Sequence, residues 1–396
     1  MRIAADTTRI AILIRTDYGF GREIIRGIMS FARTQPSWVI RRESPKTSIV
    51  PWLMQWQPHG LISHIEDMEM LEKLRPLTAP WIDLTTRYPG DEPPPIWQDD
   101  RKVGQIVAEY FYAKGHRHFA YVGFRVHKYS IERQTGFDIA VAKLGGHCDL
   151  FLREELPAQP TAKHDWTTDR KRLIAWLIAL PKPVGILACH DVAGAEIIEA
   201  CEQCGLSVPE QVAVVGVEDD DLLCFTTQPH LSSVRMPNES IGFRSAEHLH
   251  RVLTGKKPRK IILPPIGVVT RGSSDLVAVE DRVVSSALKF IHAHLHEPIR
   301  VESVLEKVPV SQSVLERRFR EVLGRTPLAE IRRLRIERAK LLLADTKLPM
   351  TRIAEQCGFN STVRFSMVFH ELAGVTPTGY REAMAPTSAK TSRRKT

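Results

Sequence analysis

Seven residues near the carboxyl end recur at a constant shift of 50 positions. Ser311, Leu315, Phe319, Glu321, Gly324, Thr326 and Pro327 return as Ser361, Phe365, Phe369, Glu371, Gly374, Thr376 and Pro377. A fixed shift that keeps apolar positions apolar marks a duplicated supersecondary unit. Each unit reads as two short helices. In the first, Val304, Leu305 and Val308 form an apolar stripe, Pro309 interrupts it, and Ser311 stands where it can cap a new helix. Val314, Leu315, Phe319, Val322 and Leu323 share one side of that helix, and Gly324 ends it. In the second, Ile353, Ala354 and Cys357 precede Gly358, Ser361 caps, and Gly374 stops the helix. A short helix, a tight turn and a second helix describe a helix-turn-helix. The two units are joined by one long helix from Pro327 to Ala344, with Thr326 as its cap.

Charge is concentrated on the same stretch. The chain carries a net charge of +9. Residues 300–396 hold 19 Lys and Arg against 10 Asp and Glu, so residues 1–299 are balanced. Arg317, Arg318 and Arg320 lie on the first recognition helix; Arg332, Arg333, Arg335, Arg338 and Lys340 lie on the joining helix. Read from the sequence, these occupy its outer faces. Localised positive charge on a helix-turn-helix is the footprint of a phosphate-backbone partner, double-stranded DNA.

The string IAEQCGFNSTVRFSMVFHELAGVTPTGYR resembles the signature of AraC-type transcription regulators, over about the last hundred residues. That resemblance implies two recognition helices entering successive major grooves. Carried over by position, Ser313, Glu316 and Arg317, with Arg318 beside them, face DNA from the first helix. Thr362, Val363, Ser366 and Met367 face bases from the second, with Arg364 as a phosphate contact. Many relatives carry a basic residue where Met367 stands and Lys where this chain has His370.

The rest of the 396 residues follows another rhythm. Short apolar runs at Arg9–Ile14, Trp38–Arg42, Gly60–His64, Trp81–Leu84, His118–Val122, Gly185–Cys189 and Val212–Val217 alternate with helical patterns. The helices fall at Gly21–Arg33, Lys102–Lys114, Ile131–Lys143, Asp169–Leu180, Val192–Cys204 and Glu239–Leu253. Such alternation predicts parallel sheets covered by helices on both faces, and about 265 residues suggest two sheets. Ligands in these folds sit beyond the carboxyl ends of strands. There the sequence places Asp17 and Tyr18, then His190 and Asp191, then Glu218 and Asp219. Carboxylates, a guanidinium and an aromatic face suit a sugar. Asp191 and Glu218 could equally cap the helices that follow them.

The segments DDRKVGQIVAEYFYAKGHRHFAYVGF, SIERQTGF, VPEQVAVVGVEDDD and LPPIGVVTRGSSD resemble the LacI-type sensor, a relative of periplasmic sugar-binding proteins. The resemblance implies that Arg133, Asp191 and Glu218 hold the effector; Glu218 stands where the family has aspartate. A LacI-type sensor followed by an AraC-type reader is the order found in activators of xylose operons. The fold expected is therefore an α/β, two-lobed, periplasmic-binding-protein-like sensor with doubly wound parallel sheets, followed by an all-α double helix-turn-helix domain. Its divisions are a sensor at 1–275, a linker at 276–283, a DNA-binding domain at 284–385 and a basic, disordered tail at 386–396.

The resemblance further implies a homodimer that activates a sugar operon, for a pentose such as xylose, with RNA polymerase as a partner; the alternatives are a sugar-responsive repressor and a sugar-binding protein with no DNA function. No nucleophile, base and oxyanion donor occur together, so no enzyme and no cofactor are expected. Cys201 and Cys204 form a lone C-x-x-C inside a helix, and His292 and His296 share a helix face near its end. Neither spacing calls for a metal. No run is apolar enough to span a membrane, and the opening residues lack the layout of a secretion signal. The expectation is a cytoplasmic, nucleoid-associated protein.

Overall fold

The computed structural model describes residues 7–65, 68–85, 96–154, 166–257, 260–276, 279 and 281–384. The tail expected at 386–396 and part of the linker lie outside these. The amino-terminal lobe is built on a four-stranded parallel sheet in the order Trp38–Glu43, Thr8–Leu13, Gly60–Ser63, Trp81–Asp83. The second lobe has six strands in the order Gly267–Val269, Ser232–Arg235, Val212–Val217, Val184–Ala188, His118–Phe124, Cys148–Arg153. Its first strand runs antiparallel and the others are parallel. A two-stranded piece pairs Ile96–Gln98 with Ile261–Leu263.

All seven strands expected from the sequence are present, with ends moved by a residue or two. The strands at 96–98, 261–263 and 267–269 were not legible because three residues carry no period. Cys148–Arg153 was missed because it is a sheet edge where only Phe151 is buried, so no apolar run marks it.

The chain crosses between the lobes three times, near 98–100, 235–238 and 263–267. Each lobe is braced by a helix pair in close contact. In the second lobe, Gly104 of helix Asp100–Ala113 faces Gly136 of helix Lys128–Lys143. A Cβ on Gly104 would lie 2.1 Å from the Arg133 carbonyl oxygen, and one on Gly136 2.0 Å from that of Arg101. Only glycine permits this approach. It brings Arg133 against the start of the neighbouring helix.

The carboxyl-terminal module has helices at Arg282–Ala293, Val301–Leu305, Gln312–Leu323, Pro327–Asp345, Met350–Gln356, Thr362–Ala373 and Pro377–Met384. It has two cores. Val284, Leu288, Val304, Leu315, Phe319 and Ile331 belong to one. Ile336, Ala339, Leu343, Ile353, Phe365, Phe369 and Tyr380 belong to the other. The joining helix therefore feeds both, changing allegiance between Ile331 and Ile336. Gly324 and Gly374 end the recognition helices with φ of 69° and 72°, as their left-handed role requires.

Two sequence expectations about this module need correction. Ser311 occupies the cap position, but its hydroxyl meets that of Ser313 at 3.1 Å rather than a backbone N–H. Arg335 does not lie on an outer face: it is 9% exposed, donates to the carbonyls of Glu297 (2.7 Å) and Ile299 (3.2 Å), and ties the halves together beneath the Phe359 ring. Helical periodicity locates a charge on a face, but it cannot say whether a neighbour covers that face.

Candidate effector site and DNA interface

The site between the lobes is assembled around Arg133, which is fully buried. Its Nε donates to Asp100 at 2.8 Å and its Nη1 donates to the Cys189 carbonyl, at the end of strand 184–188. Among the described residues Nη2 is the donor left over. The Tyr129 ring lies 5.0 Å from the guanidinium carbon, and His127 stacks on Tyr129 at 5.6 Å. Phe124 contacts both His127 and His190 at 5.3 and 5.6 Å. These rings form an aromatic wall suited to the C–H face of a sugar.

The turn at 218–220 lines the same place and is strained. Glu218 and Asp219 have φ of 109° and 56°, where a side chain costs about 1–3 kcal/mol per residue. Three hydrogen bonds hold it: Glu218 N to the Val234 carbonyl at 2.9 Å, Asp219 N to Ser233 Oγ at 2.9 Å, and Asp220 N to Asp191 at 2.8 Å. Asp191, 1% exposed, also accepts from Ser233 Oγ at 2.5 Å. Through these two bonds its carboxylate buttresses the back of the turn. Neither carboxylate is a helix cap. His190 caps helix Asp191–Cys204, accepting from Ala193 N at 3.0 Å, and Asp220 caps Asp221–Cys224.

His190, which the sequence places at a strand end without a role, faces this site through its ring. With Nδ1 accepting from the backbone, Nε2 carries the proton. Burial and the Arg133 charge hold its pKa down at about 3, so it is a neutral donor. Burial pushes the Glu218 carboxyl up to about 7, although Arg133 pulls the other way. A raised carboxyl favours folding fully below its ordinary value near 4.5 and loses that contribution as pH rises through about 7. Sugar hydroxyls donate more strongly to a carboxylate than to the acid. Sugar binding should therefore release a proton and tighten from pH 6 to pH 8. Calorimetry in two buffers of different ionisation enthalpy checks this, and equal heats in both would count against it.

The amino-terminal lobe supplies a small hollow of about 50 Å³ lined by Ile14, Arg15, Tyr18, Phe20, Gly21 and His64. Tyr18 is 42% exposed, with Arg15 5.0 Å from its ring centre. Asp17 is exposed, and its carboxyl is held below the usual range by its hydrogen bonds from Arg15. Asp220 joins the lobes. Helix Gly19–Ala32 has no cap of its own at Tyr18. Asp220, from the other lobe, accepts from Gly19 N at 2.6 Å and pairs with Arg22 at 3.1 Å. A carboxylate at a helix amino terminus is favoured by the free N–H groups and the dipole.

On the carboxyl-terminal module, Ser313 and Arg317 are exposed, and Glu316 is half-buried beside Gln312 and Arg320. Arg318 pairs at 3.0 Å with Asp281, the cap of helix 282–293. On the second recognition helix Thr362 and Ser366 are half-buried and Arg364 is exposed. Val363 and Met367 are 70% and 68% exposed, one turn apart.

Residues 108–274 match the periplasmic binding protein-like domain, and residues 304–383 match a helix-turn-helix domain. The xylose operon regulatory protein of Haemophilus influenzae is 30% identical over 383 residues, covering 94% of this chain and 98% of the relative. The chain belongs to the xylose operon regulatory protein family. Its Escherichia coli K12 member is 28% identical over 94% of this chain and 97% of its own length. A solved structure of the xylose-binding transcription activator XylR superposes with a TM-score of 0.61 at 28% identity, covering 96% of this chain and 98% of that one. Like its family, the protein is a sugar-sensing, DNA-binding transcription regulator and not an enzyme. The regulator CcpA of Lactococcus lactis, 16% identical with a TM-score of 0.56 over 68% of this chain, shares the sensor fold.

Proposed function

We propose that this member of the family binds xylose between its lobes and activates a xylose operon, working as a homodimer with RNA polymerase at the nucleoid. The observation that carries the reading is similarity to a xylose regulator along both domains at once, not along one module. The site is consistent with a neutral polyol. Arg133 Nη2 and His190 Nε2 are donors, Glu218 is an acceptor, and Asp17 and Tyr18 stand at the opposite rim. Asp191 acts by shaping the turn. A gel shift on operon-upstream DNA tests the reading: xylose should tighten the complex and other pentoses should not. A complex loosened by xylose would favour repression instead.

At the DNA, Ser313, Glu316 and Arg317 form the reading face of the first recognition helix, with Thr362, Val363, Ser366 and Met367 on the second and Arg364 on phosphate. An exposed Val363 and Met367 in place of polar groups suit thymine methyl groups in the major groove. Replacing thymine by uracil in the second half-site should cost about 1 kcal/mol per methyl contacted. The loss should vanish in the Val363→Ala, Met367→Ala double variant. A uracil site bound as tightly as the thymine site would remove apolar readout from the account.

A further inference from the structure

The second helix-turn-helix unit is seated on the hinge of the sensor. Ile266, in the crossing between strands 261–263 and 267–269, is 6% exposed and belongs to the same apolar core as Ile336, Ala339, Leu343 and Phe369. Tyr380 donates to the Ile266 carbonyl at 3.3 Å. A second crossing is tied by Arg235. That guanidinium holds Asp219 of the strained turn, Nε to Oδ2 at 2.6 Å, and also pairs with Asp345 at the end of the joining helix. Helix Asn238–Leu253 packs with the amino-terminal lobe against helix Gly19–Ala32. From it Ser240 donates to the Met384 carbonyl and Arg244 to that of Glu382 at 3.5 Å. Elsewhere on the module, Arg117 of the second lobe donates to the Val322 carbonyl.

One helical unit is thus attached to both lobes and to two of the three segments that join them. A packed core does not deform continuously. If the lobes change their angle, the unit cannot keep all of these contacts and must rotate or release one set. We propose that Ile266, Arg235 and the final helix Pro377–Met384 form the joint through which lobe closure repositions the second recognition helix. Arg235 links this joint to the sugar site proposed above, because the carboxylate it holds is next in sequence to Glu218. Tyr380 and Ser240 position the unit and touch neither sugar nor DNA.

The inference rests on xylose closing the sensor, and the experiment separates the two claims. Hydrogen exchange is followed on the full chain with and without xylose, reading cleft segments 130–140 and 188–194 separately from segment 377–384. In the wild type, xylose should slow exchange in the cleft. It should also change exchange in 377–384 by at least about fivefold, the lower end of ordinary coupling. In Tyr380→Phe and Ile266→Ala the cleft response should remain, while the response of 377–384 falls below about twofold. Tyr380→Phe removes only a hydroxyl, so it answers the question even where Ile266→Ala folds poorly. A protected cleft with 377–384 unchanged in the wild type overturns the joint, as do variants that respond like the wild type. A silent wild-type cleft withdraws xylose as effector, and the joint falls with it.

Discussion

Arg133→Ala should abolish the sugar response and remove about 3–5 kcal/mol of stability from the sensor, the usual consequence of breaking one side of a buried ion pair. The guanidinium is fully buried against Asp100 at 2.8 Å. Without it, Asp100 keeps its desolvation and loses its counter-ion. Burial already raises that carboxyl, so protonation limits the damage and places the loss nearer the lower figure at acidic pH. Arg133→Lys restores the charge but not the fork that reaches Asp100 and the Cys189 carbonyl together. It should recover part of the stability and little of the sugar binding. Thermal unfolding and calorimetry report the two separately. DNA affinity without sugar should hold, because neither core of the carboxyl-terminal module includes Arg133. An alanine variant that binds sugar normally would remove Arg133 from the site.

Glu330→Ala should destabilise the DNA-binding module by a similar amount, about 3–5 kcal/mol. Its carboxylate, 1% exposed, sits between Arg333 at 2.7 Å and Arg325 at 3.2 Å. Alanine would leave two partly buried cations facing each other. Glu330→Gln keeps the shape and some hydrogen bonding, so its loss should be smaller. Burial alone would raise this carboxyl, but the Arg333 pair outweighs it, and the net shift is downward. A depressed carboxyl contributes stability that is present above its ordinary value near 4.5 and is lost as pH falls through its lower, folded value. The module should therefore be acid-labile in the wild type and much less pH-sensitive over that window in Glu330→Gln. Exchange protection of 312–345 against pH is the measurement. An alanine variant as protected as the wild type would show that the triad contributes nothing net.

Much of the architecture is legible in the sequence. Alternating runs such as Val184–Ala188 and Val212–Val217 are fully buried, and a fully buried strand must be apolar throughout. The site is half legible. The motif resemblance singles out Arg133 and Glu218, and the fold brings them together, but no motif names their partners. Asp220 caps a helix 201 residues away, and Asp100 pairs with an arginine 33 residues on. No local pattern encodes such distances. His190 could be placed at a strand end from the sequence, but nothing local gives it a role. Its role as a neutral donor follows from burial beside Arg133, which is a property of the folded environment.

The charges divide in the same way. Positive residues on the carboxyl-terminal helices could be counted from the sequence, and the repeat of 50 identified the units that carry them. Which of them remain available for phosphate could not. Arg317 and Arg364 are exposed, whereas Arg318 serves Asp281 and Arg335 serves two backbone carbonyls. The sequence by itself determined the helix-turn-helix pair, the parallel-sheet sensor and the excess of charge, because period, glycine stops and caps act over a few residues. Tertiary structure alone decided which carboxylate buttresses and which faces the cleft, which arginines are exposed, and that the second reader rests on the hinge. Those outcomes depend on burial and on contacts between segments far apart in the chain.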